Sequence, residues 1–137
     1  MTDSAALQLL IDREAIRELT ARYARLVHEG DGRGVGALYT EDGRFKAGIA
    51  YVTGRSNLQD FLEKQLTPGK STPLVTNYII EINGAEATSY CSMHTPWYRH
   101  DYPGFCGDYR DTYRKVDGQW YFVERDFTFH EGRPADS

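Results

Sequence analysis

The fold is decided by the segment Phe105-Cys-Gly-Asp-Tyr-Arg-Asp-Thr-Tyr-Arg-Lys-Val-Asp-Gly-Gln-Trp-Tyr-Phe-Val-Glu-Arg-Asp-Phe-Thr-Phe-His130. Two runs rich in aromatic and β-branched residues flank the dipeptide Asp117-Gly118. Asp-Gly is a strong hairpin signal, because both central positions of a type I′ turn require positive φ. We therefore predict a long β-hairpin over this segment.

One face of this hairpin mixes charged and aromatic side chains. Since side chains alternate across a strand, Tyr109, Asp111 and Tyr113 share one face of the first strand. The second strand places on one face Val123, Arg125, Phe127 and Phe129. An Asp and an Arg among aromatic residues are more typical of a pocket wall than of a plain core.

Length and composition predict a single domain, residues 1–137, that is large enough to bury its own core. The formal net charge is -4 and no basic run occurs, so nucleic acid is not expected as a partner. No segment has the apolar length of a membrane span, and the first residues lack the pattern of a signal peptide. We expect a cytoplasmic protein without a membrane partner, in which Cys91 and Cys106 stay reduced.

The N-terminal half has the hydrophobic spacing of helices. A first helix is predicted from an N-cap at Ser4 to about His28, where Gly30 ends it. A short second helix follows over 31–40, then a short strand over 44–52 and a third helix capped by Ser56.

From Leu74 onward the hydrophobic period changes to two, which predicts strands over 74–83 and 86–99 before the hairpin. Helices first and strands last indicate an α+β domain. We predict a curved antiparallel sheet of four long strands and one short strand, packed against three N-terminal helices.

Five segments of the chain carry a resemblance to a known family. They are Ala15-Ile-Arg-Glu-Leu-Thr-Ala-Arg-Tyr-Ala-Arg-Leu-Val27, Gly30-Asp31, Ala37-Leu-Tyr-Thr-Glu-Asp-Gly-Arg-Phe45, Val75-Thr-Asn-Tyr-Ile-Ile-Glu-Ile-Asn-Gly84 and residues 109–125. Together they resemble the SnoaL-like branch of the nuclear-transport-factor-like cone fold, which includes scytalone dehydratase and ketosteroid isomerase. The resemblance implies a cone whose mouth admits a small, often cyclic substrate, and chemistry without a cofactor or a metal.

Dehydratase-type members of this family pair an Asp near the end of the first helix with a His before the first long strand. This chain has His28 at the position of the Asp, and residues 71–77 contain no His. The resemblance also matches Arg125 to an Arg used near the leaving group by dehydrochlorinase-like members, and Tyr23 to a family Tyr.

These residues suggest a cofactor-independent lyase or isomerase, dehydratase-like, that acts on a small cyclic or aromatic substrate. His28 would abstract a proton, Tyr23 would orient it or donate a hydrogen bond, and Arg125 would hold the developing negative charge. His28 could equally be a solvent-facing residue at a helix C-terminus. Asp31 could partner it, although we favour Asp31 as the N-cap of the second helix.

Seven further residues are predicted to contact the substrate: Asn77, Met93, His94, Tyr109, Asp111, Phe127 and Phe129. Asp111 is also the expected ion-pair partner of Arg125, and an ion pair and a substrate clamp are both compatible with that geometry. Cys91 and Met93 are expected to face inward, which turns His94 outward unless a bulge intervenes. His94, His100 and Asp101 fit no metal-ligand motif, so no metal site is predicted.

Two alternatives remain open at this point. The missing dyad favours a non-catalytic module that binds a hydrophobic metabolite or serves in assembly. Epoxide hydrolysis would need two pocket carboxylates around an Arg, and only Asp111 beside Arg125 is in evidence. In either case the outer face of the sheet is expected to be covered by another subunit, in a homodimer or a homotrimer.

Overall fold

The computed structural model describes residues 2–96 and 104–130. The elements are α1 (Asp3–Glu29), α2 (Gly32–Gly36), β1 (Tyr39–Ala47), β2 (Ala50–Thr53), α3 (Arg55–Gln65), β3 (Leu74–Asn83), β4 (Glu86–Thr95), β5 (Phe105–Val116) and β6 (Gln119–Phe129). No helix within these ranges combines the length and the apolarity needed to cross a membrane.

The six strands form one sheet in the order β2-β1-β6-β5-β4-β3. Strands β1 and β6 pair in parallel, and the other neighbours pair antiparallel. The sheet is curved and not closed, and the N-terminal helices pack against it, which confirms the predicted α+β cone. The single short strand predicted over 44–52 is instead a hairpin of two strands, which turns at Gly48 with φ 59.

The hairpin of β5 and β6 has the predicted turn. Asp117 and Gly118 have φ values of 51 and 79, as a type I′ turn requires. A one-residue bulge lies beyond the turn, because Tyr113 pairs with Phe122 whereas Thr112 pairs with Glu124. Val123 is the extra, unpaired residue. The predicted alternation of inward and outward side chains on β6 therefore holds from Glu124 onward and does not include Val123.

The helix ends confirm some of the predicted signals and correct others. Gly30 closes α1 in the left-handed conformation, and the Asp31 carboxylate caps α2 by accepting from the Gly34 amide. The N-cap of α1 is Thr2 rather than Ser4. Helix α3 starts at Arg55 after Gly54, so the predicted cap at Ser56 is wrong.

The core lies between α1, α2, α3 and the inner face of the sheet. Its buried members include Ile16, Leu19, Tyr23, Val35, Tyr39, Leu58, Leu62, Ile80, Tyr113, Trp120 and Phe122. A second buried cluster, which contains Cys91, Met93, Tyr109 and Phe127, lies farther along β4, β5 and β6. The candidate site opens beside this second cluster.

Candidate functional site

A cavity of about 390 Å³ lies between α1, the loop after α3 and the inner face of the sheet. Its walls are mainly apolar, and its lining is Thr20, Tyr23, Ala24, Val27, Phe45, Leu62, Gln65, Leu66, Thr67, Lys70, Ser71, Pro73, Val75, Met93, Thr95, Phe105, Tyr109 and Arg125. We call this space the cone cavity.

Arg125 is the buried cation of the cone cavity. Arg125 is 1% exposed, and its Nε and Nη2 atoms donate to the two carboxylate oxygens of Asp111, each at 2.9 Å. The two residues are direct partners on β5 and β6. The predicted ion pair is therefore present as a bidentate contact, and Arg125 also reaches the cavity wall.

Aromatic rings hold the guanidinium in place. Its central carbon lies 3.5 Å from the ring centroid of Tyr109, 4.5 Å from that of Tyr23 and 4.6 Å from that of Phe122. Such cation–π contacts gain strength when the cation is removed from water. Arg125 is consequently fixed both by a carboxylate and by stacked rings.

A hydrogen-bonded chain extends behind the ion pair. The Tyr113 hydroxyl donates to Asp111 at 3.3 Å and lies 2.8 Å from the Ser89 hydroxyl. Burial raises the pKa of Asp111, and the charge of Arg125 opposes that shift. Burial works to lower the pKa of Arg125, but the charge and hydrogen bonds of Asp111, together with Tyr109 and Tyr23, outweigh it, and the pKa lies well above its ordinary value. We take the pair as ionised at neutral pH, since the bidentate geometry stabilises both charges.

Two tyrosines, Tyr23 and Tyr109, line the cone cavity. The Tyr23 hydroxyl lies 3.1 Å from the Tyr39 hydroxyl, inside the core. Burial raises the pKa of both Tyr23 and Tyr109, although Arg125 opposes it. Both phenols are therefore neutral hydrogen-bond donors across the ordinary pH range.

His28 does not belong to the cone cavity. Its Nδ1 atom lies 3.0 Å from the carbonyl oxygen of Ser71 and 3.0 Å from Thr72 Oγ1, and its side chain is exposed. It lines a neighbouring groove on the outside of α1. His28 was expected to point partly toward the cone. Instead, its imidazole contacts Ser71 and Thr72 in the loop after α3 and lies outside the cone cavity.

The other predicted contact residues divide into two groups. Met93 and Tyr109 line the cone cavity, and Phe127 packs on Tyr109 with centroids 4.9 Å apart. Phe129 packs against Phe105, and Asp111 supports the site from behind Arg125.

His94 and Asn77 lie away from these residues. His94 is exposed while Cys91 and Met93 are buried, which confirms the predicted orientation of β4. Asn77 is exposed at a register shift of β3, with φ 60. The bulge removes Asn77 from the alternation that would have turned it toward the cone.

Several lining residues were not predicted from the sequence. Thr95 and Phe105 continue the inward alternation of Met93 and Tyr109, so periodicity alone could have identified them. Thr20 precedes Tyr23 by one helical turn and could have been found in the same way. Lys70 lies in a loop, where no pattern points to it.

No His, Asp or Glu occurs among the described residues that line the cone cavity. Within residues 2–96 and 104–130, no group of three His, Cys, Asp or Glu side chains has a geometry suited to a metal ion. His100 and Asp101, which the sequence grouped with His94, lie outside the described residues.

The fold and the cavity define an α+β cone protein with a small-molecule-sized pocket against a curved sheet. The SnoaL-like domain model matches residues 8–126, and the chain belongs to this family. No relative was found among curated proteins.

Solved structures share the fold over most of their length. An NTF2-like protein with a cystatin-like fold from Novosphingobium aromaticivorans is 27% identical with a TM-score of 0.82, covering 96% of this chain and 90% of its own. A candidate scytalone dehydratase from the same organism is 25% identical with a TM-score of 0.75, covering 88% and 85%. LinA is 16% identical with a TM-score of 0.79, covering 91% and 90%, and so supports the fold alone.

Proposed function

We propose that the cone cavity binds a small, neutral, cyclic or aromatic molecule through an oxygen atom of that ligand. The observation that carries this proposal is the position of Arg125, which contacts the cavity while its charge is already matched by Asp111. The volume of the cone cavity, about 390 Å³, lies within the usual range of ligand sites, roughly 300–1,000 Å³.

The charge balance of the site favours a neutral ligand. A ligand carboxylate beside Arg125 would be a second anion on a cation that Asp111 already engages. Burying an unmatched charge is costly, whereas a carbonyl or hydroxyl oxygen needs only a hydrogen bond. Tyr23 and Tyr109, both kept neutral by burial, are the donors suited to that oxygen.

A cavity-filling variant tests where the ligand binds. Leu66→Trp would occupy the cone cavity, and Leu7→Trp, at an exposed residue of α1, is the matched control. Titrating 1-tetralone, a bicyclic ketone, should shift the NMR signals of the parent protein and of the Leu7 variant. Binding that survived Leu66→Trp unchanged would refute the proposed site.

A second candidate function is the lyase or isomerase chemistry predicted from the sequence. It is favoured by the arrangement of Tyr23 and Arg125, because neutral donors beside a fixed cation stabilise an oxygen on which negative charge develops. The 25% identity to the candidate scytalone dehydratase supports the same class. Among the described residues that line the cavity, Tyr23 and Arg125 are suited to stabilise the developing negative charge. None of these lining residues is a carboxylate or an imidazole that would act as the base.

Deuterium exchange tests this second candidate. In heavy water, a protein that stabilises the enolate oxygen of a bound ketone would speed the exchange of the α-protons of 1-tetralone, with solvent water as the proton acceptor, as followed by NMR. Tyr23→Phe should then slow the exchange by about a hundred-fold, the typical effect of one oxyanion donor. His28→Ala should leave the rate unchanged, and a loss of exchange in that variant would restore His28 as the base.

The homodimer or homotrimer expected from the sequence stays a prediction. It is supported by apolar side chains on the outer face of the sheet, where Ile79 is 64% exposed and Tyr90 is 39% exposed. Light scattering of the purified chain would measure the number of subunits directly.

A further inference from the structure

A second concave site lies outside the cone, where α1 meets the edge strand β3. This groove has a volume of about 550 Å³. On its helical side it is lined by Arg17, Ala21, Ala24, Arg25 and His28, which recur at helical spacing along one face of α1. The two alanines leave room between the helix and the strand, and we call this site the α1–β3 groove.

The strand side of the α1–β3 groove is largely apolar. Leu74 is 50% exposed there, and the ring of Tyr78 lies under the Arg17 guanidinium at 5.8 Å from its centroid. Strand β3 has β4 as its one neighbour in the described sheet. The groove therefore joins the mainly apolar side chains of the strand side to Arg17, Arg25 and His28 on α1.

The arginines of the groove are not paired with carboxylates that line it. No Asp or Glu lines it, and neither Arg17 nor Arg25 forms a salt bridge with a carboxylate in the described ranges. Arg22 and Arg33, on α1 and α2, do form such pairs. In a chain of net charge -4, this is a local site suited to an anion.

His28 is held in a fixed orientation at one end of the groove. A carbonyl oxygen can only accept, so Nδ1 donates to Ser71 in the 3.0 Å contact, and Nε2 can donate to an anionic group when it carries a proton as well. The Gly69 amide also donates to the His28 carbonyl at 2.8 Å, which fastens the loop to the helix end. Arg25 lies one helical turn before His28, so both can meet one bound group.

We propose that the α1–β3 groove binds a small amphipathic organic anion, namely an aryl or short alkyl phosphate or carboxylate. The anionic group lies between Arg25 and His28, and the apolar part lies over Leu74 and Tyr78. This site is separate from the cone cavity, since Ala24, Pro73 and Val75 line both and lie between them. The proposed site gives a role to His28, which lines the α1–β3 groove and does not line the cone cavity.

Phenyl phosphate is the probe for this proposal, titrated into the full chain by calorimetry. The double variant Arg25→Gln, His28→Gln should bind it at least about ten-fold more weakly, the effect expected for losing an exposed arginine contact together with a histidine contact. Arg13→Gln, at an exposed position of α1 outside the groove, is the matched control and should bind like the parent. Unchanged affinity in the double variant, or an equal loss in the control, would overturn the proposal.

Three further titrations distinguish the groove from competing binding modes. Inorganic phosphate should bind much more weakly than phenyl phosphate, and equal affinity would show that the apolar surface contributes nothing. Leu66→Trp should retain phenyl phosphate while losing 1-tetralone, whereas loss of both would place the anion in the cone cavity. Binding to phosphatidylserine vesicles without binding to phenyl phosphate would mean that the groove recognises a membrane surface, which also contradicts the proposal.

Discussion

Asp111 and Arg125 face each other on β5 and β6 and form two hydrogen bonds of 2.9 Å each, with side chains that are 0% and 1% exposed. A buried pair of this kind contributes little net stability compared with apolar residues, but breaking it is costly because the remaining charge is left unpaired. The pair is therefore a rigid support for the cavity surface that Arg125 presents.

Asp111→Asn should destabilise the protein by about 3–5 kcal/mol, because it leaves the buried Arg125 cation without its counter-charge. Urea denaturation would measure the free energy of unfolding. The control is Glu18→Gln, which breaks the exposed pair with Arg22 and should cost at most about 1 kcal/mol. The double change Asp111→Leu, Arg125→Met should lower the free energy of unfolding less than Asp111→Asn alone does. If Asp111→Asn lowered the free energy of unfolding no more than Glu18→Gln does, the buried pair would not have the assigned role.

Stability should fall as the pH rises above about 10, because burial raises the pKa of Tyr23, Tyr39, Tyr109 and Tyr113. The unfolded chain then loses phenol protons that the folded chain keeps. The contribution of these tyrosines to stability is therefore complete below the phenol pKa of the unfolded chain and is lost as the pH rises toward the phenol pKa of the folded chain. Phenolate absorbance and urea denaturation across this range would test it. Ionisation of all ten tyrosines near pH 10 without unfolding would disagree with the structure.

Asp12 should stabilise the fold at neutral pH and not in acid. Burial works to raise its pKa, but hydrogen bonds from Trp120, Lys115 and Gln8 lower it below 3.8. Its contribution is therefore present above about pH 3.8 and is lost as the pH falls through the folded pKa. The stability difference between the parent and Asp12→Asn should shrink on acidification, and a difference that grew would reverse the assigned sign.

Gly32→Ala should destabilise the contact between α2 and α3. A Cβ at this position would lie 2.3 Å from the backbone nitrogen of Glu63 and 2.3 Å from the carbonyl carbon of Leu62, so backbone must move. Overpacking of this kind costs about 1–3 kcal/mol. Gly84→Asn, at a left-handed turn with open space around it, is the control and should have the smaller effect on the melting temperature.

The features that the sequence predicts well are local ones. The Asp117-Gly118 turn fixes the register at the start of the hairpin, where Val116 pairs with Gln119, and the one-residue bulge at Val123 then brings Asp111 opposite Arg125. The wall of the cone cavity therefore follows from a short stretch of chain. The cone itself is recognisable because each element has its own periodicity.

The features that were missed depend on contacts between distant segments. His28 lies at the edge of the apolar stripe of α1, and its direction is decided by Ser71 and Thr72, more than forty residues away. Asn77 is displaced by an extra residue in β3, whose register is set against β4. Neither the loop contact nor the bulge has a signal in the residues next to it.

We propose that the cone cavity selects a neutral oxygen-bearing ligand at Tyr23, Tyr109 and Arg125. The most direct test is the dissociation constant of three matched compounds, measured by NMR titration: 1-tetralone, its hydrocarbon tetralin, and 1-naphthoate. We predict that the ketone binds about ten-fold more tightly than the hydrocarbon, as one good hydrogen bond allows, and more tightly than the carboxylate. Tighter binding of the carboxylate, abolished by Leu66→Trp, would contradict the account.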